Sequence, residues 1–274
     1  FQIHASKEKR MKEKLMKVSV ITVCFNSASS IYNSIESVNR QTHDNIEHIF
    51  IDGESTDKTL EIIKKSSERN TQLISEPDCG IYWAMNKGLE LAQGEFIVFL
   101  NSDDQFWDKH VISDMLENID RSSALICYGN VRYFREGQAL NGREFRASPN
   151  SAESLFPHWI PPHPSFMIHR QILEKVGFFN TDYKLASDFD YIRRCLFIAD
   201  NRICHLDKCL VKMQLGGATN VSLKNIIRQN LEIISIISSA SQFKNFWTIG
   251  IFILGKGFFR SLNTLSRFKR NFDG

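Results

Sequence analysis

Residues Phe96 to Asp104 read FIVFLNSDD, an apolar run that stops abruptly in four polar side chains. The five apolar residues from Phe96 to Leu100, preceded by Gly94, fit a central strand buried on both faces. Acids then fall at its carboxyl end, where open α/β sheets bind their ligands. Adjacent carboxylates such as Asp103 and Asp104 repel unless a cation or a catalytic task holds them there. Their hard oxygens suit Mg2+ or Mn2+, with phosphate oxygens completing the shell. The same residues also suit an Asx-turn or a helix N-cap ahead of Phe106 and Trp107.

Outward from this run, strand and helix patterns alternate with short connections. Val18 to Phe25 is β-branched and apolar, and Ser29 to Arg40 then places Ile31, Ile35 and Val38 on one helical face. Ile46 to Ile51 reads as a second strand, with Ser55, Thr56 and Asp57 as N-cap choices for a helix reaching about Glu68. Thr71 to Ser75 is a short third strand. Asp78 and Gly80 then lead into a helix carrying Ile81, Ala84, Met85, Gly88 and Ala92 on one side. A helix near Lys109 to Asn118 and a strand at Ala124 to Tyr128 follow. This alternation predicts an α/β fold with a mostly parallel sheet flanked by helices. The rhythm breaks at Arg132 to Ser154, and Pro157, Pro161, Pro162 and Pro164 crowd the segment around Trp159 and His163. Long loops of this kind carry substrate selectivity.

The chain has 274 residues, 42% of them hydrophobic, enough for a substantial core. Its net charge of +3 is unevenly spread. Residues 1–17 carry six Lys/Arg against two Glu, and residues 243–274 carry six against one Asp, which leaves a mildly acidic body. That distribution argues against a nucleic-acid partner and for a terminal contact with something anionic. The six cysteines are scattered with no CxxC pair, as expected of buried, reduced thiols in a cytoplasmic protein. VSVITVCF is too short and too polar for a signal or membrane segment. GxGxxG and GxxxxGK[ST] are both missing, so neither a dinucleotide fingerprint nor a P-loop is supported.

Three acids stand at or near the ends of apolar runs: Asp52 after HIFI, Asp103 after FIVFLNS, and Asp188 in LASDFDY just ahead of a predicted helix. Strand ends in one parallel sheet converge on one crevice. In order, VSVITVCFNSASSI, IDGESTDKT, GIYWAMNKGLELAQGEFIVFLNSDD, HPSFMIHR, GFFNTDYKLASDFDYIRR and QLGGATN resemble the inverting family 2 glycosyltransferases of bacterial polysaccharide type, which have a GT-A fold. The resemblance spans roughly Val18 to Asn220.

It implies a nucleotide-diphosphate sugar donor, a UDP-sugar favoured, lying across the strand ends. The acceptor would be a saccharide or lipid-linked saccharide in surface polysaccharide synthesis. Phe25 would line the base pocket. Asp52 would accept hydrogen bonds from base or ribose, or else cap the helix that follows. Asn101, Ser102 and Asp103 match the family's DxD, with Asp103 as ligand to Mn2+ or Mg2+, Asp104 as a possible assistant, and Asn101 in place of the usual first Asp. Asn86 would face the donor. Trp83 and Met85 stand where relatives carry Asp and Arg. Asp188 matches the general base, with Asp190 as its alternative, and His163 stands near the donor phosphates or acceptor.

The implied organisation is a basic arm (1–17), a nucleotide-sugar-binding half (18–130), an acceptor-binding half of the same domain (131–220) and a helical tail (221–274). On a helical wheel the tail gathers Phe243, Trp247, Leu254, Phe258, Leu262, Leu265 and Phe272 on one face, with Lys256, Arg260, Arg267 and Arg270 opposite. This face suits a membrane interface, a second subunit or the chain's own core. The first option puts residues 243–272 on the cytoplasmic face of the inner membrane. Two other functions compete: a sugar nucleotidyltransferase, which CFNSASS disfavours by lacking Gly and a basic residue, and a sugar-nucleotide-binding protein without transferase activity.

Overall fold

The computed structural model describes residues 16–134, 143–147, 160–214 and 223–239. Its first half repeats one unit: β1 (Val18–Cys24), α1 (Ile31–Asn39), β2 (Ile46–Asp52), α2 (Thr59–Ser66), β3 (Asn70–Ser75), α3 (Ile81–Leu91) and β4 (Phe96–Phe99). All four strands are parallel, in the order β3-β2-β1-β4. Every residue of β1, β2 and β4 is buried, because helices cover both faces of this part of the sheet. Side chains alternate between two layers. Ile21, Val23, Ile97 and Phe99 point into the core beneath α3. Val18, Val20, Phe96, Val98 and Leu100 point into the opposite layer.

Beyond β4 come β5 (Gln105–Phe106), α4 (Val111–Ser122), β6 (Ile126–Phe134), β7 (Glu144–Phe145), a single 3-10 turn (His163–Ser165), β8 (Phe166–His169), α5 (Arg170–Val176), α6 (Ser187–Ala199), β9 (Ile203–Gln214) and α7 (Leu223–Ser239). The sheet continues as β8-β6-β9-β5, with β7 beside β6. β8 runs antiparallel to both β4 and β6, so it joins the parallel half to the mixed half. The expected α/β fold with helices on both faces is thus present.

Two expectations change here. The strand read as ending at Tyr128 runs on to Phe134, paired along its length with β9. β8 and β9 gave no separate signal: the first is four residues long and the second mixes buried and half-buried residues without alternation. α7 is the first part of the expected tail, and it packs Ile233, Ile236 and Ile237 against Ala186 and Phe189 at the start of α6. The amphipathic face of residues 243–272 lies outside the described residues, as do QLGGATN after Gln214 and the arm before Met16. Not every thiol is buried: Cys79 is exposed, and Cys204 and Cys209 are half-buried.

Candidate active site

Three loops at the carboxyl ends of β1, β2 and β4 are sewn into one rigid crescent. After β1 the chain turns through Asn26, at φ 47°, and the loop then takes its partners from the loop after β2. Ser55 Oγ accepts from Asn26 N at 2.8 Å, Thr59 Oγ1 from Ser27 N at 2.8 Å and Asp57 Oδ2 from Ala28 N at 3.0 Å. Asp57 also accepts from Thr59 N at 2.9 Å, so among the N-cap choices it is the one that holds the start of α2. The Asn101–Asp104 turn joins the crescent through Ser27 Oγ and Ser102 Oγ, 2.9 Å apart, and through Ser34 Oγ, which donates to Asn101 O at 3.2 Å.

Phe25 leaves 62% of its surface exposed at the rim of this crescent. Its ring edge lies beside Gly53, where a Cβ would come 3.5 Å from Phe25 and 2.9 Å from Asp78 Oδ2. A side chain at this position would meet the ring in ordinary contact and would push the Asp78 carboxylate aside. Leaving so much of an aromatic ring in water forgoes the stabilisation its burial would bring, so Phe25 offers an apolar face to a flat partner.

Asp52 is engaged within the protein and makes no hydrogen bond to an amide of α2. It is 0% exposed. Oδ2 accepts from Ser55 N at 2.8 Å and Ser75 Oγ at 2.7 Å, and Oδ1 accepts from Ser55 Oγ and, at 3.5 Å, from Cys24 Sγ. Its carboxylate therefore closes an Asx-turn and ties β2 to β1 and β3. It neither faces the cleft in this structure nor caps α2. The neighbouring Asp52 charge, after burial itself, drives the Cys24 thiol far above its usual range.

In the Asn101–Asp104 turn the two acids separate. Asp103 is half-buried, and desolvation raises its pKa. Asp104 is buried, and desolvation with the Asp103 charge pushes it well above the carboxylate range. Asp104 accepts from Asn101 Nδ2 at 3.1 Å and Gln214 N at 3.3 Å, tying the turn to the end of β9. In this structure both of its oxygens are engaged within the protein. Asn101 Oδ1 is buried with no hydrogen-bond partner. Asn101 Oδ1 and the Asp103 carboxylate are the hard oxygens of this turn that the protein does not itself engage.

Asp188 lies in the first turn of α6, half-buried. Its Oδ1 accepts from Tyr82 Oη at 3.2 Å and Phe189 N at 2.9 Å. Tyr82 belongs to the first turn of α3, which starts at the carboxyl edge of the sheet, and the Asp188 charge together with burial raises its pKa. On the other side stands His163, whose ring packs on Phe99 at 5.7 Å and whose Nε2 is buried without a partner. Burial lowers the His163 pKa, and the nearby Asp188 charge opposes that shift. Phe99 ends β4, the strand from which the Asn101–Asp104 turn departs. The end of β4 thus packs on His163, and the Asp188 charge acts on the same imidazole.

Two further expectations change. Asn86 faces the backbone of Phe179, not the cleft: Nδ2 donates to Phe179 O at 3.0 Å and Oδ1 accepts from Phe179 N at 2.8 Å. The clamp seats the Phe179 ring between Tyr82, at 5.8 Å, and Tyr191, at 4.0 Å. Asp190 is buried and paired with Arg193 at 3.2 Å and Arg194 at 2.7 Å, so each of its oxygens is engaged in an ion pair. Arg194 also reaches the carbonyls of Val176 and Phe178, fixing the loop before α6. Met85 is a core residue, whereas Trp83 is 46% exposed. Tyr82 went unremarked in the sequence; its place just after Gly80, whose φ of 126° only glycine adopts readily, is the signal that marks it.

Comparison with known proteins follows this geometry. The model of "Glycosyl transferase family 2" matches residues 19–190. The uncharacterized glycosyltransferase Rv1514c of Mycobacterium tuberculosis is 28% identical over 187 residues, covering 67% of this chain and 70% of its own. The Escherichia coli UDP-Glc:alpha-D-GlcNAc-diphosphoundecaprenol beta-1,3-glucosyltransferase WfaP is 27% identical over 217 residues, 78% of this chain and 84% of its own. Among solved structures, S. aureus TarS 1-349 in complex with UDP-GlcNAc superposes with a TM-score of 0.66 at 22% identity, over 82% of this chain and 68% of that one. The match covers 40% of the longer TarS chain. Mannosyltransferase PcManGT from Pyrobaculum calidifontis, in complex with GDP-Man and Mn2+, gives 0.61 at 17% identity, over 84% and 65%.

Proposed function

Because the chain belongs to glycosyl transferase family 2, we propose that it moves a sugar from a nucleoside-diphosphate donor to a saccharide or lipid-linked saccharide, inverting the anomeric carbon. A UDP-sugar is the favoured donor: WfaP is named for UDP-Glc, and the TarS fold is known with UDP-GlcNAc. Phe25 stacks the base, the crescent of loops carries the diphosphate, and the half ending in α6 meets the acceptor.

The observation that carries this reading is Asp188. It is a half-buried carboxylate beside the end of β4, with Oδ1 held by Tyr82 and Phe189. Oδ2 is left to accept the proton of an acceptor hydroxyl as that oxygen attacks from the face opposite the leaving group. The Tyr82 bond fixes the direction of the carboxylate. His163 packs on the far side and shields the attack line from water.

A divalent cation fits at Asp103. The Asp103 carboxylate and the unpartnered Asn101 Oδ1 are hard oxygen donors suited to Mn2+ or Mg2+. Among the described residues no group of three or more His, Cys, Asp or Glu side chains is placed to hold a metal. Donor phosphate oxygens would therefore complete the shell, and cation and donor would bind together. Bound there, the metal neutralises charge building on the departing diphosphate, a contribution of several kcal/mol.

Asp188→Asn tests the assignment. Transfer should fall ~10²- to 10⁴-fold, measured as nucleoside diphosphate released, while the donor dissociation constant stays within about twofold of wild type. Near-normal turnover would remove Asp188 from the role.

A further inference from the structure

We infer that Glu232, on α7 and well beyond residues 19–190 matched by the family model, is the positioning residue that sets the catalytic geometry of Asp188. This rests on the reading of Asp188 as general base. The helix bearing Asp188 begins without a cap of its own: Ala186 stands at the N-cap position and no side chain of the usual kind closes the first turn. A helix start leaves backbone N–H groups unpaired, and partly buried ones need an acceptor.

Within the first turn Phe189 N finds Asp188 Oδ1, and the backbone that leads into the helix is held from another element by Glu232. One carboxylate accepts from three successive amides, Lys184 N at 3.1 Å, Leu185 N at 2.8 Å and Ala186 N at 3.0 Å. Gln229, one turn earlier on the same helix, donates from Nε2 to Leu185 O at 3.2 Å. Beneath these bonds Ile233, Ile236 and Ile237 pack against Ala186 and Phe189. The Glu232 side chain is 13% exposed, so water competes weakly for these bonds.

Hydrogen bonds to an ionised acceptor are short and strong, and three on consecutive amides fix both the position and the tilt of the peptide planes. The last of those planes is two residues ahead of Asp188. On the other side Tyr82 holds Oδ1 at 3.2 Å, a bond that a small rotation of the α6 start would break. Asp188 is therefore gripped from two elements: α3 fixes its carboxylate and α7 fixes its backbone. A general base works only within a few tenths of an ångström of its proton, so losing the α7 grip lowers turnover before it affects donor binding.

A plain capping role predicts something else: lower stability, with unchanged turnover in the molecules that remain folded. A double-mutant cycle on the full chain separates the two. Mn2+-dependent hydrolysis of UDP-glucose and UDP-N-acetylglucosamine serves as the assay, with water in place of the acceptor hydroxyl and rates normalised to donor-binding protein. Glu232→Ala is expected to lower kcat about 10- to 100-fold with the donor KM within about twofold, and Glu232→Gln, which keeps an acceptor oxygen, to recover part of the loss. In an Asp188→Asn background the Glu232→Ala substitution should have no further effect. Wild-type kcat in folded Glu232→Ala, or an equal effect in both backgrounds, would overturn the inference. Full activity of Asp188→Asn alone would instead refute the general-base reading itself. Should the alanine variant fail to accumulate, Glu232→Gln carries the same cycle.

Discussion

At the scale of single residues the candidate site divides into side chains with surface left open and side chains engaged within the protein. Phe25, Asp103 and Asp188 have surface to offer; Asp52, Asn86, Asp104 and Asp190 have spent theirs on the protein. The division gives Asp52 a testable consequence. Asp52→Asn turns an amide donor toward Ser55 N–H or Ser75 Oγ, leaving buried groups unpaired, and should destabilise the fold by about 1–3 kcal/mol in urea unfolding. A variant of native stability with weakened donor binding would mean that Asp52 touches the base after all. The acids at strand ends could be picked out from the sequence because an apolar run ending in a carboxylate is a local pattern. Which of them point into the cleft could not, since the groups occupying Asp52 and Asp104 come from Ser75 and Gln214, on other strands.

At the scale of elements, the parallel half was legible almost residue by residue. Three of its strands, β1, β2 and β4, are fully buried runs and its helices have strong apolar faces, both short-range signals. The second half was less so: β8 and β9 join the sheet through pairings of long sequence separation that leave no periodic trace. The same buried strands impose a pH dependence. His48, in the middle of β2, is held by Thr22 at 2.9 Å and otherwise enclosed, and burial lowers its pKa to about 3. The unfolded chain takes up this proton near pH 6.5 whereas the folded chain refuses it until about pH 3. Stability is thus full above pH 6.5 and lost as pH falls through that window, at about 1.4 kcal/mol per pH unit. Between pH 7 and pH 5 the loss from this group should be about 2 kcal/mol, read from urea midpoints. His48→Gln should flatten that difference by the same amount; an unchanged slope would show that His48 does not titrate in this way. Comparing the two proteins isolates the histidine, since the other buried groups titrate in both.

At the scale of the whole molecule, the proposed site would draw on parts far apart in the chain: loops after β1, β2 and β4 for the donor, α6 for the base, and α7 behind it. Among the described residues no helix is long and apolar enough to cross a membrane. The basic amphipathic pattern of residues 243–272 would bring the enzyme to an anionic lipid surface, where a lipid-linked acceptor resides. The full chain should then sediment with anionic vesicles and a chain ending before Phe243 should not; equal partitioning of the two would remove the membrane from the account.

The most direct test of the central claim is thermal unfolding with UDP-glucose or UDP-N-acetylglucosamine, in the presence and absence of Mn2+, for wild type and Asp103→Ala. Donor at about 100 times its dissociation constant adds roughly 2.7 kcal/mol to stability. A melting temperature that rises with donor and Mn2+ together, and loses the Mn2+ increment in Asp103→Ala, is the predicted result. No shift with either nucleotide sugar, or one indifferent to both Mn2+ and Asp103, would contradict a metal-assisted sugar-nucleotide site at the end of β4.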